Sequence, residues 1–474
     1  MANSLSMLTG QLAAKLAQLV ALMLLSRYLL DAGFGMLTFG LSVSMILFFL
    51  LDMGVALVIN RKLSVDPGRT QEVFSTALGL RFALTAAGFS LLAALSLIAY
   101  SRQQALMILI VGAGAALDSW GELIFAVFRS RERMGLEAIS RSVGALASLA
   151  TVVLVIRSGL GPLAAASAYA TRGALIFLVA ALLAGLRFRI RLRPGFARAH
   201  LARLLRESWP LGAMGLLFVA LQRADMIILE RLRGVEAVGA YTESFRILET
   251  LVLVVTPTLL PGALFPSLCR SFEAGWASFS EKMEGIAGLV TGLSLLVMVP
   301  LLSGGLPVLE AIWGASFVRG QPLSQVSATF TILMAATPVF FWMNFLLASV
   351  IAVGRQRVTV RVAGLALLLS ICGNLLLVPR IGMTGSAVMA TLSGALMGGL
   401  FLLHLGRMGP LPLLRGSWRP LVAGVASGAT ALVLRDSPCV AIRVILPAAS
   451  FLVVWIPLGG LDPLTRPAGA GEED

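Results

Sequence analysis

Of the ionisable residues that lie inside otherwise apolar stretches, nine are the candidates for the chemistry of this chain. Lys15, Arg81, Arg141, Arg172, Arg223 and Arg246 are the cations; Asp118, Glu122 and Asp225 are the acids. An ionisable group at the centre of a bilayer is costly and faces a cavity or a partner, so each has a binding role and an ion-pairing role as its two readings. The arginine guanidinium donates two parallel hydrogen bonds to phosphate oxygens and stays charged in a dry site, which makes the cations candidates for gripping an anionic substrate. Lys15 shares a polar stripe with Gln11 and Gln18, at i, i+4 and i+7 with Gln11 first, as in a helix lining a wet cavity; inward snorkelling is its plainer role. Arg172 has Tyr169 on its face and no acid within a turn, and Arg81 also lacks a local partner. Arg141 has Glu137 at i−4, the favourable order for a helical pair.

Asp118 and Glu122, at i and i+4, would repel if both were ionised. One carboxyl must hold a proton, a cation must bind between them, or Arg172 or Arg81 must neutralise them. With Asp225 they are the candidate ion-coupling residues. Arg223 and Asp225 are spaced by two and point to different helix faces, whereas Arg246 is flanked by Glu243 and Glu249 at i±3. Counting Asp52, the six cations face six acids, so the spans do not supply a purely cationic cavity. Asn344 and Asn374 suit bonds across helices, and Pro257, Pro261, Pro266 and Pro338 suit kinks. Three scattered cysteines (Cys269, Cys372, Cys439) and two lone histidines (His200, His404) assemble no metal site or disulfide framework. No catalytic residue and no phosphate-cradling glycine loop is recognisable, so neither an enzyme nor a cofactor is expected.

The elements that position these residues follow from composition. The 474 residues are 58% hydrophobic and 13% charged, with mean hydropathy +0.93, which excludes a water-soluble fold and disorder. Runs of about 20 apolar residues, enough to cross a roughly 30 Å hydrocarbon core, can be laid out fourteen times. They cover 8–30, 34–59, 75–100, 104–128, 138–156, 163–186, 209–232, 243–268, 285–306, 325–352, 360–379, 383–405, 420–435 and 440–458, giving an all-α polytopic membrane protein. The first run continues to Leu30, as in a membrane helix and unlike a removed signal peptide. With the N-terminus inside, inward loops hold 21 cations and outward loops 9. Both termini are therefore expected in the cytoplasm of a cell (inner) membrane protein, and most of the +14 charge reflects topology instead of a nucleic-acid partner.

The longest and most basic connection, 187–208, begins RFRIRLRPG and divides the chain. An N-terminal lobe of helices 1–6 (1–186) and a C-terminal lobe of helices 7–12 (209–405) are expected on either side, with helices 13–14 and an acidic tail over 406–474. Residues 197–206 carry Ala197, Leu201, Leu204 and Leu205 on one face and arginines elsewhere, as in a short amphipathic helix on the inner membrane surface. The lobes echo one another. Arg27 and Gly35 match Arg231 and Gly239, while Arg157, Gly159 and Ala164 match Arg380, Gly382 and Ala387, an arrangement that suits transporter repeats.

Five stretches carry a resemblance: SRYLLDAGFGMLTFGLS from Ser26, LLDMGVALVINRKLS from Leu50, FRSRERMGLEA from Phe128, Ser208 to Glu249, and RIGMTGSAVMATLSG from Arg380. In this order, from about residue 5 to 405, they resemble the polysaccharide and oligosaccharide flippases of the multidrug/oligosaccharidyl-lipid/polysaccharide exporter superfamily. The resemblance implies a two-lobed, twelve-helix core with a central cavity that moves a polyprenyl-diphosphate-linked oligosaccharide from the cytoplasmic to the outer leaflet. Implied partners are that anionic lipid-linked oligosaccharide, membrane lipids and other polysaccharide assembly proteins. The lipid II flippase branch has an Arg-Asp pair in helix 1 and a basic, Glu-containing stretch after helix 2, where this chain has ALMLLSRY and DMGVALVINRK. The drug/cation exporter branch, a cation-coupled antiporter that depends on buried carboxylates, is the alternative.

Overall fold

The computed structural model describes residues 16–29, 31–66, 68, 70–131, 133–259, 265–435 and 437–459. Every regular element among them is a helix. Inside a bilayer no water can satisfy a backbone N–H or C=O, and a helix satisfies them within itself. Nine helices among the described residues are long and apolar enough to cross a membrane, and Leu16–Tyr28, Gly33–Leu47 and Val440–Trp455 are shorter apolar ones. The chain is thus a multi-pass membrane protein.

It packs as two compact units, Met1–Gly239 and Ala240–Asp474. The first holds α1 (Leu16–Tyr28), α2 (Asp31–Asp52), α3 (Val55–Val65), α4 (Thr70–Ala99), α5 (Arg102–Ser130), α6 (Met134–Arg157), α7 (Pro162–Phe188) and α8 (Arg198–Arg233). The second begins within α9 (Val235–Leu259). It continues through α10 (Phe265–Glu273), α11 (Trp276–Gly304), α12 (Leu306–Trp313), α13 (Leu323–Ala335), α14 (Thr337–Ala352), α15 (Gln356–Ile381), α16 (Met383–Gly406), α17 (Leu413–Val433) and α18 (Val440–Trp455). The 187–208 connection accordingly lies within the first unit.

Three local features differ from the periodicity. The run 34–59 is two helices, because Met53 (φ 45°) and Gly54 (φ 70°) take left-handed conformations that end α2 and start α3. The run 325–352 divides at Ala336, and Pro338 sits in the first turn of α14, where its missing N–H forfeits no helical bond. The amphipathic segment 197–206 is not a separate surface helix. It forms the first turns of a continuous 36-residue α8, about 54 Å long at 1.5 Å per residue and so longer than the hydrocarbon core.

Small residues set the tightest packing in both units. A Cβ at Gly114 of α5 would strike the Tyr169 carbonyl of α7, and one at Gly173 would strike the Gly114 carbonyl. In the second unit Gly288 of α11 meets the Gly416 carbonyl of α17, and Gly292 lies against the Trp455 ring of α18. Backbones this close gain the dispersion contacts that drive helix association where lipid offers no hydrophobic contrast. The last two spans are therefore packed into the second unit through α11.

Candidate functional site

Among the described residues of the first unit, the charged side chains singled out from the sequence gather at four places. At the α2 break, Arg81 is fully buried and its Nη1 donates to Leu51 O at 2.8 Å and to the Ser119 hydroxyl, while Nη2 donates to Asp52 Oδ1 at 2.7 Å. Asp52 Oδ2 accepts from Gly54 N at 3.2 Å. The break leaves α2 carbonyls without helical donors, and Arg81 supplies both a donor and a compensating charge at a helix C-terminus. The partner missing from its own helix is Asp52, brought from α2.

The second place joins α5 and α7. Arg172 Nη1 donates to Asp118 Oδ2 at 2.8 Å, with the two side chains 22% and 17% exposed. The close approach of Gly114 and Gly173 brings these helices near enough for the pair to form across them. Buried Asp118 Oδ1 and Arg172 Nε make no hydrogen bond, so each group keeps unused capacity beside its partner.

One helix turn along α5, Glu122 joins a network of four. It accepts from Arg141, and from Arg129 Nη2 at 3.1 Å. Glu137 accepts from Arg129 Nη2 at 2.6 Å and Nε at 2.7 Å, and from Arg141 Nε at 3.0 Å. The Arg141 guanidinium also stands 4.8 Å from the Phe125 ring centroid, a cation–π distance. Two carboxylates and two guanidiniums cancel in charge and tie the end of α5 to the start of α6. Asp118 and Glu122 thus hold separate arginines instead of sharing a cation. Arg129, counted in a loop from sequence, lies seven residues after Glu122 on the same helical face, a signal the spacing already held.

Arg223 and Asp225 form the fourth place, on α8, each 4% exposed. Arg223 Nε faces Met45 Sδ of α2 at 3.2 Å and Nη1 faces Met226 Sδ at 3.9 Å. Asp225 Oδ1 accepts from Met226 N at 2.8 Å. Thioether sulfur is a weak acceptor, and Arg223 has a further interaction beyond these two sulfurs.

In the second unit Arg246 pairs with Glu249 at 2.6 Å along α9. Glu243 turns instead to Arg319, which donates to its Oε1 from Nε at 3.0 Å and Nη2 at 2.8 Å; neither residue is exposed. Arg319 falls between the apolar runs 285–306 and 325–352, in a connection counted as an outward loop from the sequence. Its partner lies 76 residues away, and no spacing rule links them. Lys15, Gln11 and Pro261 lie outside the described residues. Asn344 and Asn374 donate to carbonyls four residues back, Phe340 and Ser370. Among the described residues no three His, Cys, Asp or Glu side chains gather as a metal-binding group.

The described helices of this multi-pass chain thus carry paired charges where they pack. A family model described as "Polysaccharide biosynthesis protein" matches residues 1–272, and the chain belongs to that family. No curated protein matches it. Among solved structures it is similar to the lipid II flippase MurJ in an inward closed conformation (TM-score 0.76, 11% identity, covering 97% of this chain and 99% of that one). It is also similar to an inward-facing multidrug resistance MATE family transporter of the MOP superfamily (TM-score 0.66, 12% identity, 83% and 94% covered). A MOP superfamily transporter from Pyrococcus furiosus gives a TM-score of 0.60 at 15% identity, with 85% and 94% covered. At these identities the likeness concerns the fold, which is the flippase and exporter fold expected from the five sequence stretches.

Proposed function

We propose that this protein is a flippase that carries a polyprenyl-diphosphate-linked oligosaccharide from the cytoplasmic to the outer leaflet of the cell membrane, for cell-surface polysaccharide synthesis, by alternating access. The observation that carries the reading is membership of the polysaccharide biosynthesis protein family over the first 272 residues. Both termini are assigned to the cytoplasm by the loop charge, and other polysaccharide assembly proteins are its proposed partners. The domain reading keeps two repeats with the basic 187–208 connection joining them.

The diphosphate is assigned to Arg223 and Arg172. Arg223 would receive phosphate oxygens as a buried cation of the first unit, and Arg172 would share its guanidinium between Asp118 and the anion. Arg141 serves as a reserve cation within a neutral network, Arg81 acts on the α2 break, and Arg246 is held by Glu249. Lys15 joins the site as a proposed contact from the first span. Asp118 then sets how readily Arg172 releases its load, and Glu122 and Asp225 are the remaining candidates for coupling transport to an ion gradient.

The test is glycan export in cells whose only copy is Arg172→Ala, Arg223→Ala or both. Export should be lost while the protein still reaches the membrane, with lipid-linked oligosaccharide accumulating on the inner leaflet. Full export by all three variants would sink the assignment. The fold likeness to the multidrug MATE transporter supports a second reading, cation-coupled drug or metabolite antiport. It requires Asp118→Asn with Glu122→Gln to lower tolerance to cationic drugs, and unchanged tolerance in cells lacking the protein removes it.

A further inference from the structure

The basic segment between α7 and α8 is a fixed strap. Arg189 takes a left-handed conformation (φ 55°) that ends α7, and its N–H donates to Gly185 O at 3.1 Å. Gln71 of α4 then pairs with Arg191 at both ends of its amide: Nε2 donates to Arg191 O and Oε1 accepts from Arg191 N, each at 2.9 Å. Ser75 Oγ donates to Arg193 O at 2.7 Å, and Gly195 N donates to Ser75 O at 2.8 Å. The approach is close enough that a Cβ at Gly79 would strike the Gly195 carbonyl. Side chains and backbone of α4 thus hold the strap much as a neighbouring strand would.

What this fixation presents is a row of cations. Arg187, Arg189, Arg191 and Arg193 are all exposed, while Ile190 turns inward at 7% exposure. Among the described residues none of these four guanidiniums has an ion-pair partner, in contrast to Arg129 and Arg141. Leu192 and Phe196 stand exposed beside them at 40% and 54%. The strap begins where the membrane-length helix α7 ends, which sets it at a membrane boundary.

We infer that this strap is a docking surface for the headgroups of anionic phospholipids. Arg187 stands on the last turn of α7, and the strap turns at Arg191–Arg193, where Arg193 N donates to Arg191 O at 2.9 Å. Four cations outnumber the two phosphate groups of a single diphosphate, whereas a row of lipid phosphates can match them. Exposed leucine and phenylalanine beside the cations suit the boundary between headgroups and acyl chains. The inference is independent of what the protein transports.

The experiment uses the full chain, purified from a phosphatidylglycerol/phosphatidylcholine mixture and examined by native mass spectrometry for retained lipid. A basic residue near an anionic surface contributes about fivefold in affinity. Changing Arg187, Arg189, Arg191 and Arg193 together to Gln is therefore expected to lower phosphatidylglycerol retention by roughly tenfold or more, with phosphatidylcholine unchanged. The same four positions changed to Lys should keep most retention, since a headgroup row needs charge more than a bidentate fork. Gln71→Ala with Ser75→Ala, which loosens the strap and leaves its arginines, should give an intermediate loss. Unaltered phosphatidylglycerol retention in the Gln variant overturns the inference. So does a Gln variant that loses undecaprenyl diphosphate and keeps phosphatidylglycerol, which would assign the strap to the transported lipid.

Discussion

Arg81 in the first unit and Arg319 in the second are both sealed from solvent, yet their counter-charges are not alike. Arg81 lies within a helix, and its partner Asp52 keeps 17% of its side chain exposed. Arg319 follows the short Ala315–Val318 turn, holds a left-handed backbone (φ 50°), and meets a Glu243 that is itself wholly buried. A sealed pair has no aqueous substitute for either partner. A pair with a wet edge can exchange that partner for water or an arriving ion. The first unit carries several wet-edged pairs, Arg81–Asp52, Arg172–Asp118 and the Glu122 network, and it also lies within the stretch that the family model covers. Partly exposed pairs occur in both units, since Arg246–Glu249 of the second is 25% and 9% exposed; what sets Arg319–Glu243 apart is that both partners are sealed, which makes that pair architecture.

The largest expected effect follows from sealing. Arg319→Leu or Glu243→Leu alone leaves one buried charge without its counter-ion and should cost about 3–5 kcal/mol, whereas the double substitution should recover most of that loss. Thermal unfolding of the detergent-solubilised protein measures it. If either single variant costs less than about 1 kcal/mol, the contrast between the sealed and the partly exposed pairs collapses. Arg81→Leu should cost less, about 2–3 kcal/mol, because Asp52 can turn its charge towards water while the Leu51 carbonyl loses its donor. An Arg81 effect equal to that of Arg319 would show that the wet edge of Asp52 counts for nothing.

Asp118→Asn sharpens the comparison through binding. It removes the competitor for the Arg172 guanidinium without removing volume. Polyprenyl diphosphate should bind roughly tenfold more tightly, the worth of one charge-assisted hydrogen bond, and turnover should fall because release is slowed. Binding measured by titration and export measured in cells should therefore move in opposite directions. Weaker binding in the variant would mean that Asp118 orients Arg172 towards the substrate instead of holding it back.

The fold was largely legible in the sequence because a bilayer imposes one length and one secondary structure on every crossing. The α2 break was not, since Asp52 and Gly54 are single residues in an otherwise apolar run and the group that satisfies the broken end, Arg81, arrives from α4. Nor was the continuity of α8, because amphipathic and membrane-spanning turns have different surfaces but the same backbone. Local pairs could be read: Arg141–Glu137 and Arg246–Glu249 are spaced as the helix repeat requires. Arg172–Asp118 was among the alternatives open for the acid pair, whereas Arg81–Asp52 and Arg319–Glu243 could not be read, because helix packing chooses partners 29 and 76 residues apart.

The smallest effect marks the far end of the same scale. Lys62 of α3 and Glu207, in the first turns of α8 outside its apolar stretch, meet at 2.7 Å with both side chains 37% exposed. The hydrogen bond from Lys62 holds the Glu207 carboxyl below the usual glutamate range, against a smaller opposing effect of burial. The unfolded chain therefore takes up the proton at higher pH than the folded one. The stabilisation from this pair is complete above the ordinary glutamate value and is lost as pH falls through the lowered folded value. Water competes at both side chains, so the contribution should be about 0.2–1 kcal/mol and should shrink in about 1 M salt, where the Debye length is near 3 Å. Unfolding midpoints measured across that acid range, for the wild type and for Glu207→Gln, should converge as pH falls and separate slightly above it. A Glu207→Gln loss as large as that of Arg81→Leu would mean that partner exposure does not set the strength of these pairs, and the distinction between exchangeable and architectural charge would fail with it.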